Sequence, residues 1–210
     1  MARCSTRSAK GRWRPAPRFT REEIAAQLDV SRQPVLQALR LLKKDGLVLD
    51  APGRGVIVAP LDAGWIAQVY EVRAALDTLA ARLAAERRAV IDARLVEQGR
   101  RAARGRHIKA MIETDMAFHN AIYAASGNPL IGRSAQLQWV HLRRVMGAVL
   151  QSSRPGEALW DEHEAIATAI AAGDAKGAAR RIEAHARQAS ETLLARLAHS
   201  LASPLKGRSA

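Results

Sequence analysis

The sequence predicts a mainly α chain in two parts: an N-terminal winged helix-turn-helix with a small β-hairpin wing, followed by an all-α helical bundle. Three observations carry that reading. Two short amphipathic segments, REEIAAQL and VSRQPVLQALRLLKKDGLV, are joined tightly at Asp29-Val30, the pattern of two helices packed across a turn. The stretch LVLDAPGRGVIV then sets two β-rich runs about Pro52-Gly53-Arg54-Gly55, which reads as a hairpin. Beyond Asp62 the chain is rich in Ala, Leu and Arg, with apolar residues at helical spacing.

In the first helix Ile24, Ala25 and Leu28 form the apolar stripe; in the second, Val35, Leu36, Leu39 and Leu42 do so. Ser31 is the expected N-cap, its hydroxyl accepting from a free backbone N–H, and Pro34 sits in the first turn, where a missing donor costs little. Arg32, Gln33, Gln37 and Arg40 are then left for a partner, which makes this a recognition helix. Residues 1–21 hold seven Lys or Arg and no acid, and read as a disordered arm or, more sharply, as a DNA-contacting one.

After the linker Ala59-Pro60-Leu61-Asp62, the residues Ile66, Val69, Val72, Leu76, Leu79 and Leu83 mark a long helix. Further helices are expected near 89–104, 107–125, 129–151, 157–172 and 175–200, punctuated by Gly127-Asn128-Pro129, by Ser152 to Gly156 and by Gly173-Asp174. No internal repeat of solenoid length recurs, so one bundle is expected. The predicted domains are 1–60 and 64–200, with 201–210 as a tail.

Length and charge bound the function. A chain of 210 residues accommodates two domains with real cores. The formal charge is +13, with 12 basic and 5 acidic residues in 1–60, a density suited to phosphate contacts. No run of about 18 apolar residues exists, and no basic helix carries a large aromatic face, so membrane partners are not expected. Cys4 is the one cysteine, which excludes an internal disulfide and suits a reducing cytoplasm. The basic N-terminus is followed by no apolar segment, unlike a secretory signal.

Four polar residues interrupt apolar stripes. The stripe Ile108, Met111, Ile112, Ile122 is shared by Asp115 and His119, which at i and i+4 lie on one helix face. His163 falls in line with Leu159, Ile166 and Ile170, and His185 with Ile182, Ala189 and Leu193. A carboxylate and three imidazoles pointing into one bundle are costly unless partnered. Convergence on a divalent metal would partner all four together; the bland alternative satisfies each histidine separately with a carbonyl or neighbouring side chain.

The residues Ile24-Ala25, Val30-Ser31-Arg32, Pro34-Val35, Ala38-Leu39, Leu42, Gly46-Leu47-Val48, Gly53-Arg54-Gly55 and Val58 together resemble the winged-helix domain of the GntR family of bacterial transcription regulators. Leu36-Gln37 stands where that family usually has Arg-Glu. Trp13, Pro15, Arg18 and Phe19 resemble the family's approach to its second helix, whereas MARCSTRSAK lacks the apolar stripe of the family's first helix. A truncated domain or an upstream start is therefore expected.

Asp115, Phe118-His119, Asn128-Pro129, Glu162-His163, Ala169-Ile170, Gly173-Asp174 and His185 likewise resemble the C-terminal effector domain of the FadR branch, a helical bundle called FCD. Val72-Arg73 and Leu76-Asp77 resemble its start, with Asp77 where Glu is more usual. The resemblance implies a homodimeric cytoplasmic regulator of a double-stranded DNA operator. DNA contacts are expected from Ser31, Arg32, Gln33, Gly53 and Arg54. Asp115, His119, His163 and His185 would hold a divalent metal, zinc first, with nickel or another transition metal as alternatives. A small carboxylate effector would meet Arg73, with Arg143 or Arg144 as a second cation, because guanidinium forks match carboxylates. Arg73, Arg143 and Arg144 read equally well as solvated ion-pair partners. Two other classes stay open at this stage: a metal-dependent hydrolase using a water at an open metal position, and a structural DNA-binding protein with the bundle as its dimeriser. No further acid/base motif or phosphate loop supports the enzyme.

Overall fold

The computed structural model describes residues 17–150 and 156–202, and the side chains up to His199. The expectations for Cys4, Trp13, Pro15 and most of the basic arm, for Ser152 to Pro155 and for the tail beyond 202 lie outside the described residues. Two compact units part between Pro60 and Leu61.

In the first unit β1 (Arg18–Phe19) leads into α1 (Arg21–Gln27), α2 (Arg32–Lys44), β2 (Val48–Asp50) and β3 (Val56–Val58). A reciprocal cap starts α1: Glu23 N donates to Thr20 Oγ1 at 3.2 Å while Thr20 N donates to Glu23 Oε2 at 2.7 Å. Asp29 turns the chain with φ 51°, and Val30 N closes the turn on Ala25 O at 3.0 Å. Ser31 occupies the N-cap of α2, but its side chain makes no capping hydrogen bond, contrary to expectation. Gly46, at φ 70°, ends α2 with Leu47 N bonded to Leu42 O at 2.8 Å.

The wing pairs Val48 with Val58 and Asp50 with Val56, and β1 adds a third strand in the order β1-β3-β2. Gly55 is required twice over: its φ is +98°, and a Cβ there would stand 2.5 Å from the Phe19 carbonyl oxygen where β1 crosses. Ala25, Val35, Leu39 and Val56 form the small core. Leu28 and Leu42, expected in the stripes, are instead exposed, Leu28 because it caps the end of α1.

Among the described residues the second unit has six helices: α3 (Ala63–Glu86), α4 (Ala93–Gly105), α5 (Ile108–Ala125), α6 (Pro129–Val149), α7 (Ala158–Ala172) and α8 (Ala175–Ala202). Asp62, Asp92 and Asn128 accept from the first-turn N–H groups of α3, α4 and α6, and Pro129 fills N1 of α6. The helix expected from 89 begins only at Ala93, because Arg88 leaves α3 at φ 48° and Asp92 supplies the cap.

Ala80, Ala81, Ala84 and Ala85 of α3 are wholly buried; four residues without bulk let α8 lie close along α3. α5 runs between α3, α4 and α6 and carries the fully buried Phe118 and Ile122 to the middle of the core. The polar positions of its stripe, Asp115 and His119, are buried with them, where a bare charge has no water. Among the described residues no helix is long and apolar enough to cross a membrane.

Candidate metal centre

Asp115 and His119 leave α5 from one face and meet His163 of α7 and His185 of α8. All four are buried, and one ligand atom from each lies within 4.8 Å of every other. The imidazole centroids are 5.7 Å apart for His119 and His163, 5.6 Å for His119 and His185 and 4.5 Å for His163 and His185.

The remaining ring nitrogens decide what faces the centre. His163 Nδ1 is 2.8 Å from Leu159 O, one turn back on α7. A carbonyl only accepts, so Nδ1 carries a proton and donates, which leaves Nε2 facing the centre. Nε2 sits 3.2 Å from Asp115 Oδ1 and has no hydrogen-bond partner among the described residues. His185 Nδ1 is likewise held at 2.8 Å by Glu162 Oε2, which turns Nε2 inward. His119 Nδ1 stands 3.4 Å from Asp77 Oδ2, and its Nε2 is 3.9 Å from Asp115 Oδ1.

A second set of residues fixes these rings. Tyr123 donates its hydroxyl to Asp77 Oδ1, and Arg73 Nε lies 3.2 Å from Asp77 Oδ2. Trp160 stacks on His163 at 4.5 Å and 25°, with Phe118 edge-on at 4.5 Å. Gly99 of α4 makes room for that indole: a Cβ there would fall 2.1 Å from the Trp160 ring.

Burial works against ionising Asp115, yet His163, His119 and Arg73 more than offset it and hold its carboxyl well below the usual range. Burial, reinforced by Arg73, lowers His119 to about 4 despite Asp77 and Asp115. Burial also lowers His185, against the pull of Glu162. An ionised carboxylate and unprotonated imidazoles are the forms that bind a metal. The donor set therefore fits a divalent transition ion. At bonds of about 2.0–2.2 Å tetrahedral ligands stand roughly 3.4 Å apart, so four groups spread over up to 4.8 Å would draw in on binding.

A cavity of about 220 Å³ opens beside the centre, reaching Asp115, His185 and Arg73. Arg73 is 2% exposed, lies 4.2 Å from the Trp139 ring centroid and keeps Nη2 buried with no hydrogen-bond partner among the described residues. Arg143 and Arg144 do not line this cavity. Leu142, Val145 and Val149 take the inward phase of α6, so Arg143 emerges on an outer cleft beside Lys109 and Glu113, and Arg144 is half-buried. Met146 and Leu150 reach the cavity from α6 instead, and Arg196 of α8 is its other lining cation. His141 is buried edge-on to Trp65 at 5.7 Å.

Glu162, Tyr123, Trp160 and the Leu159 carbonyl had no role assigned from sequence. Glu162 carried a signal, a carboxylate beside His163; the carbonyl carried none, since every residue has one. In the first unit Ser31, Arg32, Gln33, Gly53 and Arg54 are all exposed, and Arg18 brings its guanidinium to the wing tip, where a Cβ on Gly53 would be 3.8 Å from Nη1.

Residues 68–188 match the FCD domain family, and residues 7–58 match the bacterial regulatory proteins of the gntR family. The chain belongs to the GntR family, with an FCD domain. It is 34% identical over 123 residues to the Nta operon transcriptional regulator of Aminobacter aminovorans, covering 55% of this chain and 57% of that one. It is 29% identical over 194 residues to the transcriptional regulator LutR of Bacillus subtilis, covering 82% and 89%. A solved GntR-type putative regulator from Rhodococcus sp. RHA1 superposes with a TM-score of 0.69 at 25% identity, covering 87% of this chain and 89% of that one. McbR/YncC of E. coli shares the fold with a TM-score of 0.74 at 20% identity over 87% and 89%. This family member is accordingly a DNA-binding transcription regulator. Its domains and relatives are regulators rather than enzymes, which sets the hydrolase reading aside.

Proposed function

We propose that this GntR-family regulator works as a cytoplasmic homodimer whose helical domain holds one divalent metal, zinc first, and senses a small carboxylate there. The observation that carries the metal is the convergence of four buried donors, one ligand atom from each lying within 4.8 Å of every other. A proton on His163 Nε2 would partner only Asp115 and His163, 3.2 Å apart, whereas one divalent ion would partner all four. Asp115, His119, His163 and His185 would be the ligands, oriented through Glu162, Asp77 and the Leu159 carbonyl. When bound, a divalent ion supplies an electron-pair acceptor for a carboxylate oxygen.

Arg73 supports the effector reading, because its buried Nη2 beside the cavity offers a donor with no other use. Binding would alter DNA affinity only through a difference in effector affinity between two states of the protein. On the DNA side, the start of α2 with Ser31, Arg32 and Gln33 would read bases, and Gly53 and Arg54 of the wing would hold phosphates. Residues 1–60 would form the DNA-binding domain, 64–200 the effector and dimerisation domain and 201–210 a tail. Trp65, Val72 and Leu79 support dimerisation: spaced by seven residues along α3, they leave an exposed apolar stripe on one face.

Elemental analysis of protein purified without chelator tests the centre. About one transition metal per chain is expected, falling at least tenfold in His119→Ala and His185→Ala with helicity retained. Less than a tenth of a metal per chain in the parent, with no uptake of zinc or nickel on titration, would rule the centre out.

A further inference from the structure

The cavity beside the metal centre has two unlike ends, and from that asymmetry we infer that the effector is a carboxylic acid with an apolar body of roughly five to seven carbons. The inference rests on the carboxylate reading above and narrows it. At one end stand the groups that would hold the acid: Asp115 and His185 of the centre and the buried Arg73. Tyr70, its ring 5.8 Å from the Arg73 guanidinium, and Glu162, bonded to His185, stand at that end too. The walls leading away from it are Met146, Leu150, Leu159, Ala189 and Leu193, contributed by α6, α7 and α8.

Polar groups away from the metal end are confined to one side. Gln188, Thr192 and Arg196 recur every fourth residue along α8, with Gln188 exposed and the other two half-buried, so this strip meets solvent at the mouth. The inner wall therefore offers no partners for the hydroxyls of a sugar acid, and a hydroxyl desolvated without a partner weakens binding. Size sets the other bound. A cavity of about 150 Å³ holds one benzene, so 220 Å³ holds about nine non-hydrogen atoms, a carboxylate with a body of about six carbons.

Calorimetry on the zinc-loaded full chain tests this with butanoate, hexanoate, octanoate, gluconate and hexan-1-ol as probes. Affinity is expected to rise about fourfold per methylene from butanoate to hexanoate, to stop rising by octanoate, and to be at least tenfold weaker for gluconate than for hexanoate. In Ala189→Leu, which adds three carbons to the wall, the optimum is expected to shorten by two to three carbons with metal content unchanged. Gluconate binding as tightly as hexanoate, with both lost on chelation, would overturn the apolar body and leave the carboxylate reading standing. Hexan-1-ol matching hexanoate would overturn the carboxylate reading, and hexanoate binding equally well after chelation would overturn the metal's part in it, while the chain-length series still reports on the wall. An unshifted optimum in Ala189→Leu would place binding elsewhere and overturn the inference.

Discussion

At the scale of single residues, the candidate centre depends on atoms well removed from the four residues proposed as its ligands. Asp115, His119, His163 and His185 were legible because each breaks an apolar stripe, and a polar group in such a phase has to be partnered. Their supports were not legible, since the contact between Glu162 and His185 joins two helices and the Leu159 carbonyl is backbone. Gly99 is the most remote support: its missing side chain admits Trp160, which stacks on His163. Gly99→Ala would force the indole to move or the helices to part, an overpacking of about 1–3 kcal/mol. We expect zinc affinity to fall about tenfold, as when an outer support is lost, with partial recovery on adding Trp160→Phe, whose smaller ring fits the reduced space. Unchanged zinc affinity in Gly99→Ala, measured by chelator competition, would show that the stack does not orient His163.

Elements were read best where punctuation was local. Asn128-Pro129 and Gly173 mark the start of α6 and the end of α7, because a side-chain cap, a fixed φ and a left-handed φ are decided within a few residues. The strand β1 escaped notice, because two residues carry no periodicity and pair only with a strand nearly forty positions away. Arg143 went astray for a related reason: neighbouring residues on a helix differ by about 100°, so a small error in phase turns an inward cation outward. The exposed start of α2 and the α3 stripe of Trp65, Val72 and Leu79 support one joint expectation. The protein should protect two half-sites about one helical turn apart and scatter light as twice its 22.8 kDa chain mass. Arg32→Ala should weaken specific binding by about 1–3 kcal/mol and barely change non-specific binding. An equal loss on both DNAs would make Arg32 a phosphate contact instead.

For the molecule as a whole, the buried histidines tie stability to pH, and a metal held by them would add to it. In metal-free protein His119 titrates at about 4, because burial and then Arg73 penalise its cation, whereas an unfolded histidine titrates near about 6.5. Between those values the unfolded chain binds the proton that the folded chain refuses, so stability rises with pH across this window. His119's contribution is complete above about 6.5 and lost as pH falls through about 4, on the order of 3 kcal/mol. The lowered His185 acts in the same direction, and Asp115, held below the usual carboxylate range, adds a further loss once the unfolded carboxyl protonates. A metal held there would bind only the folded arrangement of deprotonated ligands, so it would stabilise most at neutral pH, by about 4 kcal/mol at a thousandfold excess over Kd, and would be released by acid. Urea unfolding followed by helical ellipticity, with chelator and with zinc, should give two curves that separate at pH 7.5 and converge towards pH 4.5. The chelated curve should itself fall from pH 6.5 downward. A chelated protein whose stability stays flat between pH 7 and 4.5 would mean that His119 is not neutral and buried in the metal-free fold.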